Sequence, residues 1–264
     1  MSWTNPVRAR LAAGEPVFAL TLTTPSAEIA ARAATLGFHF IWVEMEHSPI
    51  TLETLRTVVL AARGLPAAVF ARVPVAERWT AKRVLDQGVI GVIFPFTSTP
   101  ELARLAAEAC RYPPAGRRGS GAGLASSTWP EAGLYYDSAD REVMVIAVVE
   151  EREAVENIEA IAATPGIDVL FIGTSDLSFS MGLRGRQDEP ELRAAIARIR
   201  DAARRHGKFA GRPAGSPEQA RRFIDEGFLL IQTPTELGYL ESGARQYLDP
   251  LGVAGVPRGQ RSLY

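Results

Sequence analysis

Two carboxylates stand directly after apolar runs in the second half of the chain. Glu150 closes VMVIAVVE (143–150), and Asp176 follows IDVLFIG (167–173) by way of Thr174 and Ser175. If the two runs are neighbouring strands, both carboxylates enter one cleft. Such a pair holds a hard divalent ion such as magnesium or manganese, with water and substrate oxygens completing the shell. A plainer alternative stays open for each, because either carboxylate would also stabilise the start of a following helix. Arg72 closes AAVFARV (67–73), where a guanidinium would face an anion in the same cleft and grip a carboxylate with two parallel hydrogen bonds. His47 follows Glu44 and Glu46 in EMEHSP. An imidazole titrates near neutrality and suits general acid–base work there; its alternative role is to close the turn before Thr51. His39 and His206 read as structural, and Asp86, in KRVLDQG, reads on its own as a solvated helical carboxylate.

What is scarce excludes as much as what is present. Of the 29 basic residues only Lys82 and Lys208 are lysines. Imine chemistry needs a lysine in the cleft, whereas Lys82 lies in a helical pattern and Lys208 at the N-terminal end of a strand. A single cysteine, Cys110, makes neither an internal disulfide nor a cysteine-rich zinc site, and points to a reducing compartment. The formal net charge of −1 provides no overall field for nucleic acid or an anionic membrane. No apolar run approaches the length of a membrane span, so a cytoplasmic protein is expected. With 47% hydrophobic and 22% charged residues the composition is that of a folded globular protein.

The elements that must position these residues follow from periodicity. Strand-like runs at 17–22, 38–45, 67–73, 89–95, 143–150, 167–173, 208–212 and 228–233 each precede a segment of helical period. Ser26 is the expected N-cap of the first of these helices and Gly37 its stop. Near-continuous apolar strands separated by helices imply parallel pairing. Closed in a ring they make an α/β fold of the (β/α)8 TIM-barrel type, one domain over 1–264, with the active site at the C-terminal ends of the strands. A doubly wound open sheet competes poorly, because the first strand–helix turn, TLTTPSAE, carries no glycine for a phosphate. Residues 111–142 break the rhythm as a long loop excursion after the fourth helix, read as packing over the barrel or against a neighbouring subunit through Trp129, Tyr135 and Tyr136. The tail, 249–264, would drape over a neighbour or stay disordered.

FHFIWVEMEHSP, ARVPVAERWTAKRVLDQGVIGVIFPF, RYPPAGRRGSGAG, VVEEREAVENIEAI and GIDVLFIGTSDLSFSMG resemble, in order and spacing, the HpcH/HpaI aldolase family of class II, metal-dependent pyruvate aldolases. The likeness spans about 14–230. It implies a divalent cation (magnesium or manganese, with cobalt also compatible) on Glu150 and Asp176, and no organic cofactor. It further implies a 2-oxo acid bound by the metal and the backbone near Ser175, with Arg72 on the developing enolate oxygen. By the same resemblance His47 governs proton transfer together with Asp86, which requires the third helix to set Asp86 beside the second strand. A homo-oligomer, often a hexamer with its last helix exchanged between subunits, is implied as well. The chain departs from the family pattern at Glu44 and Met45, at Thr174 and Ser175, at Val148, where many members carry glutamine, and at the end of the eighth strand, QTPTELG.

The leading expectation is therefore a lyase that reversibly cleaves a 4-hydroxy-2-oxo acid into pyruvate, or a related 2-oxo acid, and an aldehyde. A related enolate-forming cleavage or decarboxylation of an oxaloacetate- or citramalyl-type acid is the second reading. A non-catalytic barrel that binds a keto acid is the third.

Overall fold

The computed structural model describes residues 4–121, 123–128, 135–253 and 255. Eight parallel strands close into a barrel in chain order. They are β1 (Val17–Leu22), β2 (Phe40–Glu44), β3 (Ala68–Arg72), β4 (Gly91–Phe94), β5 (Met144–Val149), β6 (Val169–Ile172), β7 (Phe209–Pro213) and β8 (Leu230–Thr235). The helices are α1 (Pro6–Ala12), α2 (Ala27–Ala33), α3 (Leu52–Ala62), α4 (Arg78–Asp86), α5 (Pro100–Ala109), α6 (Gly123–Thr128), α7 (Tyr135–Glu142), α8 (Arg152–Glu156), α9 (Ile158–Ala163), α10 (Thr174–Ser180), α11 (Pro190–Arg205), α12 (Pro217–Asp225) and α13 (Glu236–Leu248). The (β/α)8 architecture is the one the periodicity implies. Ser26 caps α2 by accepting from the Ile29 N–H, and Gly37 ends that unit at φ +99.

Four local features differ from the sequence reading. The 111–142 excursion is not a plain loop, since α6 and α7 lie within it; Trp129 falls outside the described residues. The segment after β5 is two short helices, and Asp176 sits inside α10 instead of before it. The helix α1 has no counterpart among the expected elements. It buries only Val7 and Leu11, too few apolar positions to announce a helix, and its stability comes from tertiary contacts. Asn5 accepts from the Val7 and Arg8 N–H groups while its amide reaches the carbonyls of Ile90 (3.0 Å) and Glu142 (2.9 Å). Arg8 grips Asp168 at 2.7 Å, and Asp168 in turn accepts from Val145 N–H at 2.8 Å. Together they cover the N-terminal end of the barrel.

Side chains alternate between the barrel interior and the helix layer. The Trp42 and Phe171 rings meet across the barrel at 4.9 Å, so both point inward. Register carries that direction around the ring: Thr21 pairs with Trp42, Trp42 with Phe70, Glu44 with Arg72, Phe171 with Gly211, and Gly211 with Leu230. Gln232, two residues beyond Leu230, points inward too. Arg212 lies on the other face, its guanidinium 3.6 Å above the ring of Phe223 from α12. The interior is close-packed. A Cβ on Gly91 would lie 2.3 Å from the Phe70 ring, while one on Gly243 in α13 would meet nothing within 4 Å.

This contrast yields a stability prediction. Gly91→Ala should lose about 2 kcal/mol in urea unfolding through overpacking, whereas Gly243→Ala should be neutral or slightly stabilising. Equal unfolding midpoints for the two variants would contradict the packing described.

Candidate active site at the C-terminal end of the barrel

The strand ends carry the charge. Glu44, the last residue of β2, is buried and takes four donors: Arg72 Nε at 2.6 Å, Glu46 N at 2.8 Å, His47 N at 3.1 Å and Trp42 Nε1 at 3.3 Å. This carboxylate therefore fixes both the Arg72 guanidinium and the turn that presents Glu46 and His47. Sequence reasoning placed Glu44 at the strand end but gave it no task; its signal is a glutamate register-paired with Arg72 on the adjacent strand. Arg72 extends Nη1 to Glu46 Oε2 at 3.2 Å. Burial opposes the Arg72 charge, but Glu44 and Glu46 outweigh it and hold the guanidinium firmly protonated.

Glu46 is a second residue the sequence left without a role. Burial pushes its pKa up, against the pull of Arg72 and His47. Its Oε2 makes no well-aligned hydrogen bond among the described residues. His47 Nε2 lies 3.7 Å from that oxygen, and the imidazole is 49% exposed, open to the mouth.

Glu150, just beyond β5, is buried, and its Oε1 accepts the Phe96 N–H at 2.7 Å. Phe96 holds a left-handed φ of 48, unusual for a bulky residue, and that conformation aims its N–H at the carboxylate. Gly173 leaves room on the other side, where a Cβ would lie 2.4 Å from Glu150 Oε2. Burial raises the Glu150 pKa to about 7, opposed by the Phe96 N–H and Arg72 and reinforced by Glu46 and Asp176. Asp176 and Ser175 occupy the first turn of α10, and the Ser175 carbonyl accepts from Ser178 Oγ.

Arg72, Glu46, His47, Glu150 and Asp176 thus share one electrostatic neighbourhood at the mouth. Asp86 does not join them within one chain. Helix α4 descends from the mouth, and Asp86, its last residue, lies toward the N-terminal end of the barrel. There it receives Arg118 Nη2 at 3.2 Å and faces Gly121. The expected pairing of Asp86 with His47 in one barrel fails because helix direction puts them at opposite ends. Arg118, fully buried between Tyr112 and Tyr135, is a partner the sequence did not flag. Lys82 lies in α4 and Lys208 just before β7, away from the mouth. His39 accepts the Phe18 N–H and His206 pairs with Glu159, both in structural contacts.

The donor set fits a hard divalent cation. Three carboxylates, of Glu44, Glu46 and Glu150, act on one guanidinium, Asp176 acts on Glu46 and Glu150, and Glu46 Oε2 is buried without a hydrogen bond among the described residues. No three acidic, histidine or cysteine side chains converge as a complete cage among the described residues. An ion on Glu150 and Asp176 would therefore keep positions for water and substrate oxygens, as magnesium sites do.

Burial of Glu150 has a measurable cost. Its folded pKa of about 7 exceeds the unfolded value of 4.5. The native state binds the extra proton between these values, so stability falls as pH rises through that window. Glu150→Gln, which keeps the acceptor for Phe96, should match the metal-free parent at pH 4.5. At pH 8 it should exceed the parent by about 2–3 kcal/mol in urea unfolding with a chelator present. A difference that does not grow with pH would contradict a buried, desolvated Glu150.

Among known proteins, the family model described as HpcH/HpaI aldolase/citrate lyase matches residues 18–241. A hydroxypyruvate/pyruvate aldolase from Cupriavidus necator is 36% identical over 92% of this chain and 90% of its own length. A 5-keto-4-deoxy-D-glucarate aldolase from Klebsiella pneumoniae is 33% identical over 81% of this chain and 83% of its own. The crystal structure of a HpcH/HpaI aldolase/citrate lyase family protein from Burkholderia cenocepacia superposes with a TM-score of 0.89 at 32% identity, covering 95% of this chain and all of that one. With its closed barrel and its carboxylate-rich mouth, the chain belongs to the HpcH/HpaI aldolase/citrate lyase family.

Proposed function

We propose that this protein is a metal-dependent aldolase that reversibly cleaves a 4-hydroxy-2-oxo acid into pyruvate, or a related 2-oxo acid such as hydroxypyruvate, and an aldehyde. The observation that carries the reading is the excess of carboxylate over guanidinium at the mouth, built on a rigid Glu44–Arg72 pair. Glu150 and Asp176 would hold the divalent cation, magnesium or manganese. That cation would supply Lewis-acid polarisation of the 2-oxo group. Arg72, locked by Glu44, directs its remaining N–H groups at the C2 oxygen, where negative charge grows as the C3–C4 bond breaks and an enolate forms. His47 moves the proton: it accepts from the C4 hydroxyl in cleavage and returns a proton in the reverse direction. Ser175 and Asp176, in the first turn of α10, border the carboxylate of the oxo acid. The names of the two relatives support this chemistry; what each acts on is its own property.

The reading extends to assembly. Helix α13 exposes Leu237, Tyr239, Leu240, Tyr247 and Leu248, an apolar face suited to a second copy of the chain. A partner for His47 from Asp86 requires two copies, the far end of one barrel meeting the mouth of the next. Homo-oligomers of His47→Ala and of Asp86→Ala, each inactive alone, should recover activity when dissociated and reassembled together. Mixed oligomers as inactive as their parents would remove the shared pairing.

The activity itself is tested with purified protein stripped of metal. Pyruvate release from a panel of 4-hydroxy-2-oxo acids should require added magnesium or manganese. Asp176→Ala should lower kcat/KM at least roughly a hundredfold, beyond the loss typical of residues that only support a metal ligand. Arg72→Lys should cost about 100- to 1,000-fold, the scale of a lost oxyanion donor. Turnover indifferent to chelation, or no pyruvate from any panel member, would end the proposal. No helix among the described residues is long and apolar enough to cross a membrane.

A further inference from the structure

Resting on the lyase reading, the remaining sector of the mouth carries one more assignment. The charged groups around Arg72 come from β2, β3, β5 and β6, while the carboxylate after β8, Glu236, is bonded to Thr23 and Thr24; this leaves β7, β8 and β1 for the other half of a substrate. In barrels of this kind, alternate strands contribute layers of four inward side chains. The register puts Trp42, Ile93, Phe171 and Gln232 in one such layer, from β2, β4, β6 and β8. Trp42, Ile93 and Phe171 are buried and apolar, and the two rings touch. Gln232 is the polar exception. Its side chain is half-buried, points inward with Leu230, and makes no hydrogen bond to any described residue.

A half-buried amide that points into the barrel without a partner among the described residues keeps its donor and its acceptor open to a ligand. Its surroundings are polar, and the buried carboxylate among them, Glu236 at the start of α13, is taken up by the Thr23 N–H and hydroxyl and the Thr24 N–H. Thr21, inward on β1 one layer nearer the mouth, offers a hydroxyl whose one contact is a long 3.5 Å approach to the Thr233 carbonyl. In the loop that follows, the Thr24 hydroxyl is buried without a hydrogen-bond partner. On β7 the inward positions are Gly211 and Pro213, neither of which supplies a side-chain donor or acceptor. A wall of amide and hydroxyl groups beside a carboxylate already engaged by Thr23 and Thr24 recognises hydroxyls and disfavours carboxylates or phosphates.

We propose that Gln232 is a specificity-determining residue that hydrogen-bonds a hydroxyl of the aldehyde half, so that the enzyme prefers hydroxyaldehydes over unsubstituted aldehydes of equal length. The amide both donates and accepts, which matches a hydroxyl in either orientation. A site built to bond a hydroxyl rejects the analogue lacking it, because its own polar group is then left unpaired.

The test compares glyceraldehyde with propanal as acceptors in aldol addition with hydroxypyruvate, in the parent and in Gln232→Leu. The parent should favour glyceraldehyde at least tenfold in kcat/KM, and the variant should lose that preference. The same pair of aldehydes, titrated calorimetrically into protein holding manganese and oxalate, reads binding without turnover and should show the same collapse. An unchanged preference in Gln232→Leu, or none in the parent, overturns the assignment while leaving the lyase reading intact. Failure of manganese and oxalate to bind at all overturns the lyase reading, and this assignment falls with it.

Discussion

The mouth is organised around the buried ion pair between Glu44 and Arg72. Two opposite charges taken out of water gain little from mutual attraction unless their remaining hydrogen-bonding capacity is also satisfied. Here it is: the carboxylate receives the guanidinium, two backbone N–H groups and the Trp42 indole. The pair links β2 to β3, shapes the turn bearing Glu46 and His47, and ties the apolar layer below to the charged rim above. A guanidinium held this tightly is electrostatically preorganised, as the proposed enolate chemistry would require.

Around that anchor the protein accepts an unfavourable arrangement. Glu46, Glu150 and Asp176 crowd toward one another, and burial pushes Glu46 and Glu150 upward in pKa. The strained Phe96 backbone and the missing side chain at Gly173 both serve to accommodate Glu150. A fold that spent stability only on itself would have no reason for this crowding. A divalent cation would relieve it, and in doing so would create the site for an anionic substrate.

The two ends of the barrel have different tasks. At the N-terminal end, Asn5, Arg8, Glu142 and Asp168 close hydrogen bonds and ion pairs on one another and on backbone groups. At the mouth, Glu46 Oε2 is buried without a hydrogen bond and the Gln232 amide has no partner among the described residues. Asp86 and the buried Arg118 belong to neither pattern. They pair with each other below their own mouth, beside the glycine-rich part of the excursion.

Much of this was legible in the chain itself. The alternation of apolar runs with helical segments determined the barrel, because parallel strands buried on both faces must be apolar throughout and each crossover must carry a helix. Polar residues that end such runs had to emerge at the mouth, so Arg72, Glu150 and Asp176 could be named from position. The short helix α1 and the helices within 111–142 were hidden, since their stability derives from contacts with distant segments. Glu44 looked like one of several acidic residues until register put it against Arg72, and Gln232 like a polar residue at a strand end until the layer around it proved apolar. Asp86 shows the converse: read by itself it was a solvated helical carboxylate and family resemblance alone made it a partner for His47, but only the direction of α4 through space decided which end of the barrel it occupies. Periodicity along a chain determines which elements form and which face they bury; distance and direction between elements arise when the ring closes, and those belong to the tertiary structure alone.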